Sequence, residues 1–318
     1  MELIIKPTGR CNFNCKFCSA NLLDIKHSTT VSTQLKTVLN TIKPDNIIFT
    51  GGDPLLVSPD YYNEILSLGN WNIAFTTNLK DFYLNPEKWI SLFKNPRIGI
   101  GTSFQYGNKR LWDNNTPYTE KLFIDVMQKF YNEIGYTPPF ISLIDTDNED
   151  KALDHVYLAK RLNTKCKLNG TLPLGKSKSF YPTHKMIKIW LEIKDLGLEE
   201  YLDTQIQFYE GGCNFNTSLY CESTIRTFWL NEHDEVQYGN CEDCSTLGLR
   251  IPLDKIRPIP VKKQIEINNT INDKCCYCEL FKLCNACRSL QRINKQTPEH
   301  CEEMLKLKPR IIEAKWKI

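Results

Sequence analysis

The chain has 318 residues, 41% of them apolar and 24% charged, the balance of a globular protein rather than a disordered or fibrous one. Forty basic residues against thirty-seven acidic ones leave a formal charge of +3 with no long basic run, which excludes a dedicated nucleic-acid binder. No stretch approaches the roughly 18 apolar residues of a membrane span, and the charged N-terminal MELIIKPTGR is too short for a signal peptide, so a cytoplasmic protein is expected.

ELIIK (2–6) reads as a short β-strand that ends just before Cys11, Cys15 and Cys18. A helical stripe follows over 31–42, with Thr30 or Ser32 as its cap, and NIIFT (46–50) is a continuous apolar run of the kind a buried parallel strand shows. The alternation then repeats. A helix near 60–68 precedes the strand NIAFT (72–76), and a helix near 86–94 precedes RIGIGTSF (97–104). A longer helix near 118–133 leads to FISLID (140–145), a helix over 150–162 to CKLNGT (166–171), and a last helix covers 183–196. Six βα units imply an α/β fold, a partial (β/α)6 barrel over about 1–204, with a closed eight-stranded barrel as the alternative. After residue 204 the alternation stops, and TIRTFWLN (224–231) and DEVQYG (234–239) read as a small hairpin in a second, cysteine-rich domain over 205–318.

Fourteen cysteines are too many for chance. A long chain in a reducing compartment has no need of disulfide staples, so metal ligation is the expectation. Cys11-x3-Cys15-x2-Cys18 can hold three irons of a cubane and leave the fourth iron open for a small Lewis base. The alternative from spacing alone is a zinc site completed by a residue such as His27.

With Phe17 before the third cysteine, this stretch resembles the radical S-adenosylmethionine (radical SAM) superfamily, whose pattern is C-x3-C-x-aromatic-C after the first strand of a partial barrel. Gly51-Gly52-Asp53-Pro54 is similar to that family's GGEP loop, with Asp for Glu, and Thr77-Asn78 to its TNG, with Leu79 for glycine. Ser103 matches a serine that approaches the cofactor's ribose or carboxylate, and Leu172–Lys176 is similar to a P-x-G-[RK] turn. The resemblance implies that Cys11, Cys15 and Cys18 hold a [4Fe-4S] cluster. It further implies that Phe17, Gly51, Gly52, Asp53, Pro54, Thr77, Asn78 and Ser103 surround S-adenosylmethionine, whose reductive cleavage gives a hydrogen-abstracting 5′-deoxyadenosyl radical.

Cys275-x2-Cys278-x5-Cys284-x2-Cys287, followed by Cys301, resembles the SPASM extension of radical SAM enzymes, which holds two auxiliary [4Fe-4S] clusters. Carried across in order, Cys213, Cys221, Cys241 and Cys287 would hold one cluster and Cys275, Cys278, Cys284 and Cys301 the other, with Cys244 an alternative to Cys241. Two zinc knuckles, Cys241-x2-Cys244 and Cys275-x2-Cys278, are the competing reading. Cys166, Cys244 and Cys276 are then spare, and Cys244 is the candidate hydrogen donor.

The resemblance implies an enzyme acting on a peptide or protein, by crosslinking, thioether formation, epimerisation or oxidation. Oxidation of an alcohol or sugar is the runner-up, and a non-catalytic zinc-binding interaction module the competing class. Only ten residues precede Cys11, so a separate leader-binding protein or a leaderless substrate is expected, together with a reductant such as flavodoxin or ferredoxin. Four-cysteine ligation of both auxiliary clusters would leave them to relay electrons.

Overall fold

The structure, a computed structural model, describes residues 2–18, 25–113, 115–171, 175–203, 225–230, 236–240 and 298–314. Its strands are β1 (Glu2–Lys6), β2 (Asn46–Phe49), β3 (Asn72–Thr76), β4 (Ile98–Ser103), β5 (Phe140–Ile144), β6 (Cys166–Gly170), β7 (Ile225–Leu230) and β8 (Val236–Asn240). The helices are α1 (Thr33–Ile42), α2 (Pro59–Ser67), α3 (Lys80–Leu84), α4 (Ile90–Phe93), α5 (Glu120–Ile134), α6 (Ala152–Arg161), α7 (Thr183–Asp195) and α8 (Pro298–Glu313). No helix among the described residues is long and apolar enough to cross a membrane.

The strands form one sheet in the order β6-β5-β4-β3-β2-β1-β7-β8. Strands β1 to β6 are all parallel, as βα units require, and the sheet stays open with β6 and β8 at its edges. This is the expected partial barrel. β7 and β8 form the expected antiparallel hairpin, but β7 also pairs in parallel with β1 from Glu2↔Ile225 to Lys6↔Trp229. A strand from the cysteine-rich part of the chain thereby extends the barrel sheet.

Alternation sorts each strand into two faces. Leu3, Ile5, Ile47, Phe49, Ile73, Phe75, Ile98 and Ile100 are buried, while Asn46, Asn72, Ala74 and Gly99 between them are exposed. Behind the buried face lies an aromatic layer in which Phe49 meets Tyr62 and Phe75 at ring centroid distances of 4.8 and 5.4 Å, and Phe82 meets Phe130 at 4.9 Å. Local chemistry sets the helix starts. The side chains of Ser32, Ser58 and Thr119 accept from the first-turn amides of α1, α2 and α5. The single helix expected near 86–94 is instead α3, a 3-10 turn at Pro86–Lys88 and α4. Pro86 has no amide to donate and pushes Asn85 out of helical geometry, to φ −136°.

On the far side, α8 lies against α7. Met304, Leu307 and Ile311 of α8 are buried in the common core, and Lys188 pairs with Glu303 at 2.6 Å.

Candidate functional site

The loop after β1 carries the three cysteines, and two neighbouring segments fix its path. Asn14 donates to the Leu111 carbonyl at 3.2 Å and Lys16 to that of Lys109 at 2.8 Å, so residues 14–16 run along the loop that follows β4. Gly52 and Asp53 donate to the carbonyls of Thr8 and Arg10, both at 2.8 Å. The approach is too close for any side chain. A Cβ on Gly52 would stand 1.9 Å from the Arg10 carbonyl oxygen, and one on Gly51, whose φ is +127°, would stand 2.6 Å from that of Thr8. The paired glycines therefore seat the cysteine loop against the end of β2.

Asp53 is buried, and its carboxylate ties three segments together. Oδ1 accepts from the Leu55 amide at 2.9 Å, Oδ2 from the Asn78 amide at 2.7 Å, and the Thr77 hydroxyl lies 2.9 and 3.0 Å from the two oxygens. Burial pushes its pKa up to about 6 against the opposing pull of these donors, so it is ionised at neutral pH. Asn78 then reaches the cysteine loop, donating to Asn12 Oδ1 at 2.8 Å and to Cys11 Sγ at 3.6 Å. Lys80 extends the same link, donating to the Asn12 carbonyl at 3.3 Å while its ammonium lies 4.8 Å from the Trp112 ring centroid.

A cavity of about 270 Å³ opens where these loops meet. Cys11, Cys15 and Cys18 line it together with Phe17, Gly51, Gly52, Asp53, Thr77, Asn78 and Ser103, so ten of the residues named from sequence share one wall. Pro54 does not line it; it is buried at the start of a 3-10 turn, where its carbonyl accepts from Tyr62. His27 is bonded to the Thr8 hydroxyl at 3.0 Å and is likewise not among the lining residues.

Sequence reasoning missed five of the lining residues, Phe13, Thr50, Thr76, Leu143 and, most consequentially, Arg110. It is 8% exposed, donates through Nη1 to Ser103 Oγ at 2.9 Å, and stacks 5.1 Å from the Phe17 ring centroid. Its Nε is buried without a partner. A guanidinium with unused donors at the edge of a cavity is a ready carboxylate site. No spacing rule marks Arg110, because only the return of the loop after β4 brings it to Cys15.

The thiols suit a cluster. None of the three is in a disulfide, and they line a common cavity, each free to hold its own metal atom. Among the described residues no three His, Cys, Asp or Glu side chains converge on a single-ion position. Burial, with the Asp53 charge, pushes the Cys11 thiol up to about 12, and burial also raises that of Cys15, with Arg110 pulling the other way. Such thiols keep their protons until a metal displaces them.

Residues 5–159 match the family model described as the radical SAM superfamily. This segment is a radical SAM domain. Among curated proteins, the uncharacterized protein MJ0907 of Methanocaldococcus jannaschii is 32% identical over 151 residues, which cover 44% of this chain and 50% of that one. The match therefore spans about half the length of that relative. Among solved structures, native anSMEcpe with bound AdoMet and Cp18Cys peptide superposes with a TM-score of 0.70 at 15% identity, covering 98% of both chains. Native anSMEcpe with bound AdoMet alone gives 0.70 at 16% identity and the same coverage.

Within the radical SAM domain, Leu79 holds the place where the family has glycine and adopts the left-handed geometry glycine would supply, φ +61°. Of the auxiliary ligands expected in the tail, Cys301 is exposed on α8. Cys213, Cys221, Cys241, Cys275, Cys278, Cys284 and Cys287 lie outside the described residues, as do Cys244 and Cys276. Cys166 is fully buried in the core.

Proposed function

We propose that the protein cleaves S-adenosylmethionine reductively and uses the resulting radical to abstract hydrogen from a peptide or protein, as a peptide-modifying radical SAM enzyme. The observation that carries this reading is the convergence of three thiols, the Asp53-centred loops and the Arg110–Ser103 pair on one cavity. When bound, a [4Fe-4S] cluster on Cys11, Cys15 and Cys18 supplies the electron that breaks the sulfonium C–S bond. Arg110 and Ser103 hold the carboxylate of S-adenosylmethionine, and Phe17 keeps the guanidinium in plane. Asp53, Thr77 and Asn78 fix the loops that surround the methionyl end. Support for a peptide substrate comes from the peptide in the anSMEcpe structure and from the cysteine pattern of the tail. In this reading residues 1–204 are the catalytic barrel and 205–318 an auxiliary domain with two four-cysteine clusters that relay electrons to or from the substrate, β7 being its contribution to the barrel sheet.

Anaerobically reconstituted protein given dithionite and S-adenosylmethionine is expected to release 5′-deoxyadenosine, and a Cys15→Ala variant to release none. Cleavage retained in that variant would refute the assignment. Arg110→Ala removes a charged hydrogen bond worth about 1.5–3 kcal/mol, so its Kd for S-adenosylmethionine is expected to rise roughly ten- to a hundredfold by calorimetry. Iron analysis is expected to give roughly twelve irons per chain, four per cluster. A value near four would remove the auxiliary clusters. With all three in place, Cys278→Ala is expected to lower product yield more than 5′-deoxyadenosine release.

A further inference from the structure

From Phe13 to Phe17 the cysteine loop alternates. Phe13, Cys15 and Phe17 face the 270 Å³ cavity, whereas Asn14 and Lys16 face a second, larger cavity of about 540 Å³. The loop is thus a wall one chain thick between the two. The second cavity is an open groove also lined by Asn108, Asn115 and Lys176, all exposed, and none of the described residues that line it is acidic. Lys16 and Lys176 form no ion pair among the described residues, and Lys176 is braced by a 2.9 Å hydrogen bond to Asn14 Oδ1 and by its own amide to the Cys18 carbonyl at 2.9 Å. Lys16 and Lys176 therefore both present an ammonium group to the groove beside the segment that carries Cys15 and Cys18.

We propose that this groove docks an electron-donor protein with an acidic surface, and that the reducing electron crosses the loop at Cys15–Lys16. The inference rests on the radical SAM reading, which requires one electron for each S-adenosylmethionine cleaved. The donor, a low-potential flavin or iron–sulfur protein, is oxidised by one electron. The sulfonium is reduced, and its C–S bond breaks to methionine and the 5′-deoxyadenosyl radical. Two exposed lysines in a groove with no acid among its described lining attract an acidic partner, and uncharged asparagines around them supply a rim that hydrogen-bonds without repelling it. Because the contact is solvent-exposed, its attraction is screened by salt.

The test uses an acidic flavodoxin, fluorescently labelled, titrated with the full-length protein at stepped ionic strength. Lys16→Glu/Lys176→Glu is expected to raise its Kd at least tenfold and to flatten the salt dependence. Asn108→Asp/Asn115→Asp, in the segment after β4 rather than in the cysteine loop, is expected to weaken binding in the same direction with the residues of the cysteine loop left unaltered, which separates docking from damage to the loop. Reduction by flavodoxin hydroquinone should slow in parallel, while dithionite-driven 5′-deoxyadenosine release stays within twofold of wild type. An unchanged Kd in both variants overturns the proposal. So does a loss that appears equally with dithionite, or a rise in KM for a peptide with flavodoxin binding intact, which would make the groove a substrate exosite. Wild-type protein that releases no 5′-deoxyadenosine with dithionite would instead sink the functional reading itself.

Discussion

Asp53 shows how much of the site is held by one side chain. Both of its oxygens accept hydrogen bonds and neither reaches solvent, so an amide nitrogen in place of either oxygen would face an N–H or hydroxyl donor. Asp53→Asn, though isosteric, is therefore expected to cost about 2 kcal/mol, the penalty of a buried donor left unmatched. Urea unfolding checks it, and an unchanged midpoint would mean that the three loops are held by something else. Leu79 is a contest between two terms. Its left-handed backbone costs about 1 kcal/mol that glycine would recover, but its side chain is fully buried, and deleting a buried leucine costs about 3 kcal/mol. Packing wins, so Leu79→Gly is expected to destabilise by about 2 kcal/mol in the same assay despite restoring the family's residue.

The elements were legible in the sequence where periodicity was strong. β1 to β6 follow their apolar runs and the helices between them their apolar stripes, except between β3 and β4, where two short helices and a turn replace the one expected, and Ser32 caps α1 as its hydroxyl suggested. The segment 104–118 was not legible, because it has no period and its role is set by partners distant in sequence. Its backbone supports Asn14 and Lys16, its Trp112 and Tyr118 pack against Phe13 in tilted and edge-on contacts, and it delivers Arg110 to the cavity. α6 anchors this segment through His155, whose Nε2 accepts from the Tyr106 amide at 3.2 Å and whose Nδ1 donates to the Lys151 carbonyl at 2.7 Å. The Nε2 bond needs the neutral ring, whereas the Nδ1 bond would survive protonation; burial outweighs the latter and pushes the pKa down from 6.5 to about 4. The unfolded chain thus takes up a proton before the folded one does. The stabilisation is complete above pH 6.5 and is lost as the pH falls towards 4, to a total of about 3 kcal/mol. Urea midpoints measured from pH 7.5 to 4 are expected to fall accordingly, and to fall less steeply in His155→Gln. Parallel curves for the two proteins would show that another group governs the acid limit.

At the scale of the whole molecule, the chain leaves the barrel after α7, adds β7 to the β1 edge, and returns in α8 on the opposite flank against α7. Sequence alone marked the tail as chemically distinct but gave no sign that its first strand pairs with β1, since parallel partners more than two hundred residues apart leave no local pattern. The clasp between α8 and α7 depends on apolar burial more than on its surface ion pairs. Met304→Ala is expected to lower stability by about 2–3 kcal/mol, whereas Glu303→Gln, at an exposed ion pair, is expected to leave it almost unchanged; comparable losses in a thermal scan would reverse that ranking. The sheet order also dictates a history. β1 leaves the ribosome more than two hundred residues ahead of one of its neighbours, which is synthesised only at residues 225–230. At about 5–20 residues per second, that edge waits roughly ten to forty seconds for its partner, its N–H and C=O groups open to any passing strand. Throughout that interval the adjoining cysteine loop sits beside an unfinished sheet, so the maturation of the iron site and the covering of the β1 edge are set against the same clock.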